Sequence, residues 1–166
     1  FSRLAEAEAV AHGTTVDESD LHELGQLDTL VDVVGGVAGL ELLGIERLYS
    51  SPMPAGSGVI KSAHGLLPVP SPATAALFAM AKVPVVLPPG GATDTGEMVT
   101  PTGAAILTTL ASFRRPAMKL ERVGYGLGSR ESKYYPNALA LWLGEETGSA
   151  FTTDLSMIET NIDDMS

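Results

Sequence analysis

Asp28 and Asp32 stand four residues apart at the start of an otherwise apolar run. That spacing sends both carboxylates to one face of a helix. Two like charges so placed repel, and a divalent cation between them would relieve the repulsion. His22 and Glu23, on the preceding turn, could complete such a shell with an imidazole and a further oxygen. The same residues also fit a structural role, in which Asp28 caps the helix, Asp32 reaches a Lys or Arg, and His22 is an ordinary surface residue. His64 closes a strand-like segment just before Gly65 and a proline-stiffened loop. It suits either a functional side chain on a rigid scaffold or a hydrogen-bonded histidine in a tight turn. Near the far end, strand alternation would put Glu159, Asn161 and Asp163 on one side. An acidic and amide trio of that kind suits a hard or borderline cation, and a solvated terminus accounts for it equally.

Two further stretches could bind an anion. Thr100-Pro101-Thr102-Gly103 opens a helix, where backbone N–H groups can hold phosphate or carboxylate and glycine removes obstruction. An N-cap followed by small residues for close packing explains the same pattern. Gly124-Tyr125-Gly126-Leu127-Gly128-Ser129-Arg130 could wrap an anion with backbone while Arg130 supplies charge, or could simply bend a strand into a loop.

The elements that must position these groups follow from periodicity and punctuation. Leu4 to Val10 predicts a helix closed by His12-Gly13, and Asp17 to Ser19 offer N-cap oxygens for a short turn. From Asp28 to Leu43 apolar residues cover most of the helical circumference, which predicts a helix buried on nearly all sides and ended by Gly44. Glu46 to Ser51 and Ser57 to Lys61 predict strands separated by an irregular loop at Pro52, Pro54 and Gly56. Ser71-Pro72 begins a helix to about Ala81, Val83 to Leu87 is strand-like, and Pro88-Pro89-Gly90-Gly91 must turn. Thr100-Pro101 starts a helix through Leu110. Lys119 to Tyr125, Ala138 to Leu143 and Asp154 to Ile162 predict three more strands. The order lacks a clean βαβ rhythm, so the expected class is α+β in a single mixed helix and strand domain.

Composition narrows the chemistry. The 166 residues include 20 Asp plus Glu against 10 Lys plus Arg, a net charge of −10, which argues against nucleic acid or an anionic membrane as partner. With no cysteine, thiolate zinc sites, iron–sulfur clusters and cysteine nucleophiles are excluded, so any metal must be held by oxygen and imidazole. Gly, Pro and charges interrupt every apolar run short of the ~20 residues a spanning helix requires. A soluble protein without a signal peptide is expected. The start at Phe1 and the polar run Ile158 to Ser166 suggest that both ends are cut from something longer.

Taken together the segments resemble the LarC family, the nickel insertion proteins of nickel-pincer cofactor biosynthesis. The matching pieces are His22-Glu23 with Gly25, Asp28 and Asp32-Val33-Val34-Gly35; Ala63-His64-Gly65 through Pro68-Val69-Pro70 and Pro72-Ala73-Thr74; Val99-Thr100-Pro101-Thr102-Gly103-Ala104-Ala105; Gly124-Tyr125-Gly126 with Gly128 and Arg130; and Glu159-Thr160-Asn161-Ile162-Asp163-Asp164-Met165. Asp20 departs from the pattern, since family members usually carry a second histidine there. The resemblance implies insertion of Ni²⁺ into pyridinium-3,5-bisthiocarboxylic acid mononucleotide by a cytoplasmic, CTP-dependent nickel chelatase of the lyase class, which assembles as a homo-oligomer. It implies that residues 1–166 are the central domain of a longer protein, lacking an N-terminal segment and a C-terminal domain that uses CTP with a divalent cation. The fragment alone would be inactive. The implied metal-handling residues are His22, Asp28, Asp32, His64 and Asp163, and the implied substrate contacts are Thr100, Thr102 and Arg130. Two other classes compete: a divalent-metal-dependent hydrolase of a small phosphorylated substrate, using the same acids to activate water, and a non-catalytic assembly domain.

Overall fold

The computed structural model describes residues 1–18, 27–62, 64–131 and 135–147. His22, Asp163 and the expected strand from Asp154 to Ile162 lie outside them, as do Asp20 and Glu23. Helix α1 runs from Ser2–His12 and buries Leu4, Ala7 and Ala9. Gly13 closes it at φ 66°, where the Gly13 and Thr14 N–H groups return to Val10 and Ala9 carbonyls. A left-handed residue there costs glycine nothing. Helix α2, Leu27–Leu42, stops the same way: Gly44 has φ 65°, and the Gly44 and Ile45 N–H groups bond the Glu41 and Leu40 carbonyls at 2.9 and 3.0 Å.

Four short strands follow: β1 Leu48–Tyr49, β2 Met53–Pro54, and the hairpin of β3 Val59–Ser62 with β4 Gly65–Pro68. Strand β2 falls in the stretch expected to be an irregular loop. It forms because the chain beyond helix α3, Pro72–Ala81, returns as β5, Val85–Val86, and pairs parallel to it. Helix α4, Pro101–Leu110, leads into β6, Ala111–Ser112, which pairs parallel to β1. Each pair joins a strand the sequence signals, β1 or β5, to a short run, β6 or β2, that takes strand geometry only from its distant partner. The chain ends its described part in a long antiparallel ribbon, β7 Met118–Leu127 with β8 Ala138–Glu146, irregular between Leu120 and Arg122. The α+β class stands, built as a body of helices and short strand pairs carrying a two-stranded ribbon.

The core lies where α1, α3 and α4 meet. Leu4 and Ala7, Ala73, Ala76, Leu77 and Phe78, and Ala104 and Ala105 form it, joined by Met53 of β2. Alanine on all three helices lets their backbones approach, and Leu77 at 0% exposure fills the space between.

One expectation is overturned. Helix α2 is not buried on nearly all sides: Thr29 is its buried residue, whereas Leu30, Val31, Val34 and Val37 are exposed. Its apolar circumference meets α4 along one side, with Val33 against the core and Ile106 beside Gly36. An all-apolar helix is buried only where neighbours surround it, and the described residues offer it a neighbour on one flank. The ribbon shows the same excess. Alternation puts Val123, Tyr125, Leu127 and Trp142 on one face and Leu139 and Leu141 on the other, opposite Gly124 and Gly126. All six apolar side chains are exposed. Among the described residues no helix is long and apolar enough to cross a membrane.

Two substitutions test the core and a strained cap. Leu77→Ala should cost about 2–5 kcal/mol, the usual range for emptying a buried leucine site. Lys82 ends α3 in the left-handed conformation at φ 52°, ψ 42°. Lys82→Gly should therefore gain about 0.5–1 kcal/mol by removing the Cβ penalty. Denaturant unfolding of the whole protein measures both, and a Lys82→Gly protein less stable than the parent would contradict the strain.

Candidate functional site

The candidate residues occupy three places. At the first, Asp28 and Asp32 lie exposed at the start of α2. The Asp28 Oδ1 accepts from the Thr29 N–H at 2.8 Å, so this carboxylate serves the N–H of the next residue from within the first turn instead of capping the helix from outside it. At the second, His64 stands at the tip of the β3–β4 hairpin. Its N–H donates to the Ser62 hydroxyl at 3.0 Å, and Gly65 turns the chain at φ 95°. The tip meets the end of α1, where the His64 and His12 rings sit 5.1 Å apart at 60°.

The third place is the start of α4, which carries Thr100 and Thr102, with the loop before it, which Arg130 reaches at Glu97. Thr100 precedes α4, and its Oγ1 accepts from the Gly103 N–H at 3.2 Å. The threonine oxygen is thus a helix cap, and Thr102 is half-buried in the first turn. The Arg130 guanidinium comes in from the end of the ribbon and donates to the Glu97 carbonyl. Gly96, at φ 66°, gives it room: a Cβ there would stand 3.0 Å from Arg130 Nη1. The loop before α4 is fastened from other sides too. The Ser57 hydroxyl donates to the Ala92 carbonyl at 2.8 Å, the Ser57 N–H to Thr95 Oγ1 at 2.9 Å, and the Tyr135 hydroxyl to the Thr95 carbonyl at 3.3 Å. A cation thus stands a few residues from a helix N-terminus, on a loop held from three segments.

Arg130 is aimed by the ribbon, and the ribbon is tied to the body at its other end by Glu146. The Tyr49 hydroxyl donates to Glu146 Oε2 at 2.7 Å, Arg47 donates to the same oxygen, and Arg114 donates to Oε1 at 3.0 Å. Arg114 also lies over the Tyr49 ring, 4.6 Å from its centroid. The Tyr49 hydrogen bond, then those of the two guanidiniums, hold the Glu146 carboxyl down at about 2.

Among the described residues no three His, Asp or Glu side chains are grouped so as to hold a metal ion. Asp28, Asp32 and His64 therefore do not make one site by themselves, and the contributions expected of His22 and Asp163 lie outside the described residues. A cavity of about 120 Å³ between α1, α2 and α4 is lined by Leu4, Val33, Val37 and Ile106 among others, and carries none of the candidate donors. Sequence reasoning passed over His12 as a helix end. The available signal was Glu8 four residues before it, the spacing of a helical side-chain pair.

Fold and composition together define an α+β domain without thiols, whose candidate donors are oxygen and imidazole, the set suited to hard and borderline divalent cations. Comparison with known proteins gives the family. The family model described as nickel insertion protein matches residues 1–166, and the chain belongs to that family. A relative from Roseiflexus castenholzii, named for nickel insertion, is 52% identical over 99% of this chain and 41% of its own length. Others so named come from Thermomicrobium roseum, 49% identical over 99% of this chain and 40% of its own, and Geobacter metallireducens, 47% identical over 99% and 41%. The chain thus spans about two fifths of the length of the curated relatives it matches. No solved structure matches it.

The Glu146 clamp makes stability depend on acid. A carboxyl held below its ordinary 4.5 contributes stability that is complete above 4.5 and lost as pH falls towards about 2. Thermal melts across that window should show the parent losing a contribution that Glu146→Gln lacks throughout. Identical acid slopes for the two would contradict the clamp.

Proposed function

We propose that the whole protein inserts Ni²⁺ into pyridinium-3,5-bisthiocarboxylic acid mononucleotide, forming the sulfur–carbon–sulfur nickel pincer complex. The observation that carries this reading is the nickel insertion family match over the full chain. Nickel is then cargo. A protein that delivers it must bind Ni²⁺ firmly enough to acquire it and loosely enough for softer substrate sulfurs to take it, and oxygen with imidazole meets that condition where thiolates would compete. In this reading His22, Asp28, Asp32, His64 and Asp163 handle the metal. Thr100, Thr102 and Arg130 receive the phosphate or carboxylates of the mononucleotide, with the guanidinium supplying charge and the helix N-terminus its N–H groups.

The remaining parts of the proposal extend to the rest of the molecule. Residues 1–166 form the central domain. Insertion is CTP-dependent, the nucleotide and its divalent cation are bound in a C-terminal domain, and the protein works in the cytoplasm as a homo-oligomeric nickel chelatase of the lyase class.

The test supplies the whole protein with Ni²⁺, CTP and the dithio-precursor, and follows pincer formation by mass spectrometry. Transfer is expected in the parent, with a fall of about tenfold or more in the doubly substituted Asp28→Ala, Asp32→Ala protein, the scale seen when groups around a metal site are removed. Arg130→Ala should raise the precursor concentration needed for half-maximal transfer. A parent that releases phosphate and transfers no nickel would replace this reading with hydrolysis.

A further inference from the structure

Helix α2 is apolar around most of its circumference, yet the described residues cover one flank of it. With about 3.6 residues per turn, its sides sort clearly. Thr29, Val33 and Gly36 point towards α4: Thr29 is buried, Val33 packs on the core and Gly36 lies beside Ile106. Leu27, Val31, Val34, Ala38 and Leu42 recur every three or four residues on the opposite side. There Val31 is 60% exposed, Val34 52% and Leu42 88%. Gly35 adjoins this stripe, and a Cβ added to it would meet no atom within 4 Å.

From this stripe we infer that α2 is an interior helix of the whole protein, covered on its outer side by an apolar helix from the part of the polypeptide that lies outside residues 1–166. An apolar stripe at this spacing is what one helix presents to another, and a glycine beside it lets the two backbones approach closely. A helix that is apolar on all sides belongs inside a protein, since water on any flank opposes it. The relatives have the polypeptide to cover it. The matched region is 41% of one and 40% of another, so more than half of each lies beyond it.

Charge argues against a second copy of α2 as the cover. The helix holds Asp28 and Asp32 near its start and Glu41 near its end, and it has no Lys or Arg. Two such helices laid parallel would set Asp28 and Asp32 against their own copies. Laid antiparallel, they would set them against Glu41, so carboxylates meet carboxylates in either direction. In a chain of net charge −10, no cation on the helix offsets that repulsion. An occupant with Lys or Arg at the two ends of its own apolar stripe turns the same charges into attraction and fixes its register. The contact is independent of the metal and the precursor proposed above.

The experiment uses the whole protein with the photo-crosslinking residue benzoylphenylalanine in place of Val34, and separately Val31→Cys and Leu42→Cys with any other cysteines replaced. Irradiation should give a product of single-chain mass on a denaturing gel, linked to a peptide from outside residues 1–166. Each cysteine should react with a maleimide about tenfold or more slowly in the native protein than in the same protein unfolded by denaturant. Gly35→Leu, for which the described residues leave room, should speed both labelling reactions and reduce the cross-link, because the added side chain stands where the second helix would approach. Should Gly35→Leu fold poorly, cross-linking and labelling with Gly35 intact decide by themselves. A product of twice the single-chain mass assigns the cover to a second copy and overturns the proposal. A link confined to residues 1–166, or cysteines that react as fast in the native protein as in the unfolded one, overturns it too.

Discussion

The close approach of α1, α3 and α4 around Leu77 is the constraint on which the other placements depend. Alanines at 7, 73, 76, 104 and 105 bring the three helices together, and the leucine and Phe78 fill the space that remains. An interior packed to crystal-like density has little freedom to shift, so the helix ends it fixes are fixed precisely. The C-terminal turn of α1 carries His12, the N-terminus of α4 carries Thr100 and Thr102, and α3 sets the return of β5 alongside β2. The candidate chemistry sits at the ends of these helices, on loops whose starting points the core determines.

The periphery follows a different rule. The ribbon of β7 and β8 makes its hydrogen bonds to itself and reaches the body through polar ties: Glu146 with Tyr49, Arg47 and Arg114 at one end, and Arg130 with the Glu97 carbonyl at the other. Polar ties are directional but individually modest, and they fix angle and register more than they contribute burial. Both faces of the ribbon and most of α2 meanwhile expose apolar side chains in excess of scattered surface residues. The polar clamps hold the ribbon and apolar contact with α4 holds α2, while the rest of their apolar surface stays uncovered by the described residues.

How much of this was legible in the sequence depends on the range of the interaction involved. Ser71-Pro72 and Thr100-Pro101 start α3 and α4 where expected, and Gly13 and Gly44 end α1 and α2, because a helix terminus is decided by groups within one turn of each other. Ser71 stands at the N-cap position of α3 but makes no side-chain cap. Its hydroxyl donates to the buried Thr74 hydroxyl at 3.0 Å, a choice between near neighbours that spacing does not resolve. Strand β2 was missed because Met53 and Pro54 have little strand character without β5 beside them. The candidate residues were found by type, but their grouping was not. Arg130 near the start of α4 and His12 beside His64 are long-range encounters made by the ribbon and the hairpin tip.

By itself, then, the sequence determined the inventory and the punctuation: oxygen and imidazole donors with no thiol, the helix limits, the paired Asp28 and Asp32, and the motifs that carry the family. These are properties of composition and of residues a few positions apart, and short-range sterics and hydrogen bonding settle them. Only the tertiary structure decided that α2 lies exposed along most of its length, that Thr100 uses its oxygen as a cap, and that a histidine ending one helix meets another on a hairpin tip. Burial and contact depend on which distant segments arrive at a surface. An apolar helix written in sequence says only what it would bury, and its neighbours decide whether it does.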